Sequence, residues 1–126
     1  MTGSPASVNL PRMVGQDAQI AVYIMASGRN GTLYTGVTSA LFSRVQQHKL
    51  GVFEGFSSEH GCKRLVWYED YPNMPEAILR EKRIKRWLRR WKLALIEAEN
   101  PQWCDLSDGW YEVANGPLSW TQRPQP

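Results

Sequence analysis

Cysteine and histidine are scarce in this sequence, two of each among 126 residues, and the shortage excludes a class of chemistry. Cys62 and Cys104 stand far apart and form no C-x-x-C pair, and His48 and His60 add no ligand spacing, so a structural zinc site is not expected. Long apolar runs are missing too. No stretch approaches the ~18 apolar residues that cross a bilayer, and residues 1–19 lack the basic start and apolar run of a signal peptide. The expectation is a protein of the reducing cytoplasm with no membrane among its partners. No repeat of fixed period and no internal low-complexity tract is present either.

What is present is an ordinary globular composition, 42% hydrophobic and 21% charged, in a length that suits one domain with a single core. The net charge of +3 and pI near 9.0 are mildly basic, a property shared by many soluble domains. The distribution says more. Between Arg80 and Lys92 stand eight basic residues, Arg80, Lys82, Arg83, Lys85, Arg86, Arg89, Arg90 and Lys92, against one acid, Glu81. Such a run is either a solvated helix face or a surface for phosphates. Residues 1–18, polar with interspersed Gly, Ser and Pro, read as a flexible N-terminal arm, and 111–126 as a flexible C-terminal tail. The folded unit is expected over 19–110.

Ile20-Ala21-Val22-Tyr23-Ile24-Met25 is a short apolar run with β-branched and aromatic residues, which predicts a strand. Asn30-Gly31 is reversal chemistry, and residues 32–37 return as a second strand. Thr38 or Ser39 is placed to cap a helix carrying Leu41, Val45 and His48 as far as Gly51. A glycine-containing loop leads to a third strand over 63–68. Asn73, with Glu76 three residues on and Pro75 in the first turn, opens a long helix expected to reach Glu99 with a bend near Arg89–Arg90. The fold class is α/β in the α+β sense: a three-stranded, mostly antiparallel sheet flanked by helices.

The long helix carries the most informative pattern. Ala77, Glu81, Ile84, Leu88, Trp91 and Leu95 follow one another in steps of four, three, four, three and four, so they share one stripe. Five are apolar and are expected to face the sheet. Glu81 is the exception. A carboxylate taken out of water needs a cation, a metal or several donors. Either an ion pair holds Glu81, or it is a ligand for Mg2+, which takes one or two carboxylates and keeps its waters. Arg44 and His48, four apart on the first helix, form a second pair. The plain reading is two surface residues. The functional one sets the Arg44 guanidinium on phosphate oxygens, with His48 donating or relaying a proton. Tyr23, Tyr34 and Tyr68 fall on the three strands, where tyrosine is usually a packing residue. A phenol beside a metal and an arginine can instead accept a proton from water.

Ala21-Val22-Tyr23, Tyr34-Thr35-Gly36, Arg44, His48, Glu81 and Asn100-Pro101 together resemble the GIY-YIG nuclease domain. Within it the chain is most similar to small, single-domain bacterial proteins classed as endonucleases. The resemblance covers about residues 20–107, and Leu33-Tyr34-Thr35-Gly36-Val37-Thr38 with an arginine ten residues after the tyrosine is its more specific part. The first motif reads Ala-Val-Tyr for Gly-Ile-Tyr and the second Tyr-Thr-Gly for Tyr-Ile-Gly. Val37 stands where some repair and restriction members carry lysine.

What the resemblance implies is a divalent-metal-dependent endonuclease that hydrolyses phosphodiesters, DNA being the expected nucleic acid, in a repair or recombination setting. Tyr34 would activate water with Tyr23 in support, Arg44 would stabilise the pentavalent phosphate and His48 would assist. Glu81 would hold a single Mg2+ (or Mn2+), and Asn100 would help order the site. Arg80, Arg83, Arg86 and Arg90 fall off the core stripe and would line the approach of nucleic acid, with little sequence selectivity. The competing readings are a non-catalytic nucleic-acid-binding module of the same fold and an interaction protein docking a partner through Trp87, Trp91, Trp103 and Trp110. A homodimer or protein partner stays open.

Overall fold

All six residues of β1, Ala21–Ala26, are buried. A half-exposed strand would alternate, so an unbroken buried run belongs in the middle of a sheet covered on both faces. In the computed structural model, which describes residues 19–52 and 60–111, β1 is the central strand of three, flanked by β2 (Leu33–Thr38) and β3 (Arg64–Asp70) in the order β2-β1-β3. Both pairings are antiparallel, as expected. The arm over 1–18, the tail beyond its first residue and most of the loop ahead of β3 lie outside the described residues.

The pleat sends alternate residues of β1 to opposite layers. Val22, Ile24 and Ala26 join Ala77, Ile84, Ile96 and Trp103 in one layer. Ala21, Tyr23 and Met25 join Leu41 and Val45 in the other, with Tyr34 and Tyr68 packed against them. A register shift at Ile24/Met25 in the β1–β3 pairing lets Val66 and Trp67 enter the first layer together. Helix α1 (Leu41–Leu50) covers the tyrosine face. Its C-terminus is stopped where the sequence requires: Gly51 is left-handed at φ 68° and donates to the His48 carbonyl, while Val52 donates to that of Gln47. Its N-terminus differs from expectation. Ala40 is the cap residue and receives no side-chain cap, and Thr38 instead accepts from the Ala40 N–H.

The expected long helix is two helices, α2 (Met74–Arg86) and α3 (Arg89–Glu99). Asn73 caps the first as predicted, accepting from the Glu76 N–H at 2.9 Å. The chain then leaves helical geometry at Trp87 and Leu88, whose ψ angles are both 151°. Neither is glycine or proline, so the break comes from packing. Trp87 and Leu93, neither of them on the predicted stripe, pack against the same core layer, which a straight helix with that stripe would not allow. The stripe holds for Ala77, Glu81 and Ile84, all buried. Beyond the break it holds only at Leu95, which packs on the core: Leu88 and Trp91 are half exposed, and Ile96 is the buried residue of α3.

Candidate active site

Four of the expected site residues meet on the α1 face of the sheet. Register pairs Tyr23 with Gly36 and Met25 with Tyr34, so both tyrosines rise from one face of adjacent strands. The Tyr23 and Tyr34 ring centroids are 6.3 Å apart, and His48 stands 5.5 and 5.1 Å from them. The Tyr23 hydroxyl lies 2.8 Å from His48 Nε2. Arg44, one turn before His48 on α1, hydrogen-bonds to Tyr23 through its side chain. With Arg44 donating to the phenol oxygen, the phenol proton goes to Nε2, which assigns the His48 ring proton to Nδ1.

Burial decides the electrostatics. Tyr23 is fully buried, and desolvation, with the Tyr34 phenol next and Glu81 last, drives its hydroxyl far above the usual phenol range despite Arg44. It therefore stays protonated and orients its neighbours. His48 is pushed down to about 4, by burial first and then by the Arg44 charge, so it is a neutral imidazole at ordinary pH and an acceptor. Tyr34 is half-buried and is the phenol of the pair that solvent reaches.

Glu81 joins from α2. It is buried, sits on the helix stripe that packs on the sheet, and its charge acts on Tyr23. Its Oε2 lies 2.6 Å from Lys85 Nζ, one turn along the same helix and half exposed. The plain reading of an ion pair thus holds in part. Rehydrating Lys85 costs little, whereas Glu81 without a cation would be left charged and buried. No group of three or more His, Cys, Asp or Glu residues able to hold a metal occurs among the described residues. One buried carboxylate beside an exchangeable cation suits an ion such as Mg2+ that keeps most of its waters, and does not suit a protein-enclosed metal.

Two expected residues stand elsewhere. The Asn100 amide donates to the carbonyls of Val66 and Cys104 and accepts from the Cys104 N–H. It fastens the exit of α3 to β3 and is not brought together with the tyrosines. The Arg80 guanidinium is bonded to Glu69 at 3.1 Å and lies over the rings of Trp67 and Trp87. Arg83, Arg86 and Arg90 are exposed. Gly36 is a site residue to which sequence reasoning assigned no role: a Cβ there would fall 2.5 Å from both the Tyr23 hydroxyl oxygen and Cζ. Its position beneath the tyrosine ring depends on register, and the Tyr-Thr-Gly motif was its only trace in the sequence.

The sequence matches the GIY-YIG catalytic domain over residues 19–94. A UPF0213 protein of Aeromonas salmonicida is 30% identical over 105 residues, 83% of this chain and 76% of that protein. Another, from Oceanobacillus iheyensis, is 35% identical over 86 residues, 68% of this chain and 99% of its own. A solution NMR structure of a UPF0213 protein from Bacillus halodurans is 26% identical, covering 72% of this chain and 96% of that one with a TM-score of 0.46. The match embraces β1, β2, α1, β3 and α2, every element that delivers Tyr23, Tyr34, Arg44, His48 and Glu81, and the chain belongs to the GIY-YIG family.

Proposed function

We propose that this protein is a divalent-metal-dependent endonuclease that hydrolyses phosphodiesters of nucleic acid, DNA in the first place, with low sequence selectivity. The observation that carries this is the meeting of two tyrosines, an arginine and a neutral histidine on one sheet face, within electrostatic reach of a buried carboxylate from another helix. Arg44 binds the scissile phosphate and stabilises the charge that develops on it, since a guanidinium never loses its proton. Tyr34, the phenol of the pair that solvent reaches, orients the attacking water and takes up its proton as its own hydroxyl proton leaves to solvent, with the His48 ring packed against it. Tyr23 holds Arg44 and His48 in register. Glu81 is the metal ligand. When bound there, Mg2+ or Mn2+ supplies charge stabilisation at the phosphate and the leaving 3′-oxygen. In-line attack by water then leaves 5′-phosphate and 3′-hydroxyl ends.

The Glu81–Lys85 pair also favours a second reading, a non-catalytic module that binds nucleic acid by charge. One assay separates them. Wild type, Arg44→Ala and Glu81→Gln are incubated with Mg2+, Mn2+ or EDTA and labelled single-stranded, duplex, nicked and branched DNA and RNA. Cleavage by wild type with a loss of about 10²–10³ in both variants is expected. Full activity in both variants sinks the site assignment, and salt-sensitive binding without any metal-dependent product establishes the second reading.

A further inference from the structure

The break between α2 and α3 leaves two large apolar side chains outside the core: Leu88 is 49% and Trp91 50% exposed. They stand three apart, on one side of the start of α3. Around them runs Lys85-Arg86-Trp87-Leu88-Arg89-Arg90-Trp91-Lys92, five cations and no acid. Lys85 reaches Glu81, so this patch begins at the candidate active site. Arg89 is held by the carbonyls of Asn30 and Gly31 in the hairpin turn. Arg86, Arg90 and Lys92 have no carboxylate partner among the described residues. The Lys92 ammonium lies below the ordinary lysine range, through burial first and then through Arg89 and Lys85, so these cations crowd one another. Trp91 itself is not loose. Its ring stands edge-on to Trp87 at 6.3 Å, and Trp87 lies beneath the Arg80 guanidinium.

An exposed, braced indole ringed by cations fits an occupant that is both aromatic and polyanionic. A second copy of this chain is disfavoured, because a self-complementary contact would set five cations against the same five. A duplex offers the phosphates but keeps its base faces stacked inside. An unpaired strand offers both. We propose that Trp91, with Leu88 beside it, is a stacking platform for an unpaired base, while Arg86, Arg90 and Lys92 hold the adjoining phosphates. The substrate then carries a single-stranded segment next to the bond that is cut. This deepens the nuclease reading and rests on its nucleic-acid part, not on its chemistry.

The test is binding in EDTA, where no cleavage is read. Fluorescence anisotropy is measured with a labelled oligothymidylate, an oligouridylate and a DNA duplex, for wild type, Trp91→Ala, Trp91→Phe and the Arg86→Gln/Arg90→Gln pair. Trp91→Ala should weaken single-strand binding about tenfold to a hundredfold and leave duplex binding unchanged, with Trp91→Phe recovering most of the loss. The arginine pair should reduce the salt slope on single strands by about 0.7 for each phosphate that is no longer neutralised. Preference for either oligonucleotide supports the proposal and identifies the strand. Wild-type-like single-strand binding by Trp91→Ala overturns it, as does an equal loss on duplex or a wild-type dimer that the substitution dissolves. A wild type that binds in this pattern yet cuts nothing with Mg2+ would sink the hydrolytic reading alone.

Discussion

At Gly36 a methyl group would fall 2.5 Å from the Tyr23 hydroxyl oxygen, closer than nonbonded atoms approach. Tyr23 cannot retreat, because its ring is fully buried between β2, α1 and β3. Gly36→Ala should therefore cost about 1–3 kcal/mol of stability, as overpacking does, and should push the hydroxyl away from His48 and Arg44. The expected outcome is a lowered Tm with a loss of cleavage that persists at temperatures where the variant is fully folded. A wild-type rate at wild-type Tm would show that the tyrosine does not need this space. His48 gives a pH dependence of definite sign. Its folded-state value of about 4 lies below the ordinary 6.5, so below pH 6.5 the unfolded chain binds the proton better. Stability is unaffected above 6.5 and falls as pH drops from 6.5 toward 4. Replacing the group by His48→Gln should flatten that window in Tm-against-pH curves. An identical slope in the variant would place the titration elsewhere.

The elements were legible wherever local chemistry decides them. The Asn73 cap, the glycine stop at Gly51 and the Asn30-Gly31 reversal are set by a few adjacent residues, and all three stand where the pattern predicts. Asn73→Ala should cost about 1 kcal/mol, since it removes the acceptor for the Glu76 N–H. Chemical denaturation would measure it, and a change of less than a few tenths would mean that Pro75 starts α2 unaided. The stripe on α2 was legible too, and so was the buried Glu81, because a 3.6-residue period needs no knowledge of what it packs against. The break at Trp87 and Leu88 was legible only as the bend expected near Arg89–Arg90, one residue on. Nothing in those two residues forbids a helix. What interrupts it is a bulky indole seated against the core with Arg80 over its ring, a tertiary fact that carries no period. Trp91 leaves the core face for the same reason, since past the break that face is made by Leu93, Leu95 and the buried Ile96. The contacts of Arg80 were hidden for a related reason: its partners Glu69 and Trp67 come from β3, and no spacing along α2 could reveal them.

Across the whole molecule the candidate site depends on how α1 is held, because α1 supplies both Arg44 and His48. The sheet secures its inner side through Leu41 and Val45. Its outer side is tied by the segment that follows α3. Asp105 is ion-paired with Lys49 near the end of α1, and its other oxygen accepts from the Leu65 and Ser107 N–H groups and the Ser107 hydroxyl. Farther along, the Tyr111 hydroxyl donates to the Phe42 carbonyl, and Trp110 stacks on Phe42. Residues 105–111 therefore bridge β3 and α1 from beyond the span of the family match. Asp105→Ala leaves the Leu65 N–H and the Lys49 charge without this partner and should cost about 2–4 kcal/mol. Burial alone would raise the Asp105 carboxyl, but Lys49 and Ser107 outweigh it and hold it below 3.8. Its stabilising contribution is thus present above that value and disappears as pH falls through the lowered one, beneath the window assigned to His48. Tm-against-pH curves of the two variants would separate these effects, His48→Gln flattening the upper window and Asp105→Ala the lower. Cleavage by Asp105→Ala should also fall at temperatures where the variant remains folded, because α1 loses its outer tie. Unchanged cleavage there, with only stability lost, would mean that the sheet alone fixes Arg44 and His48.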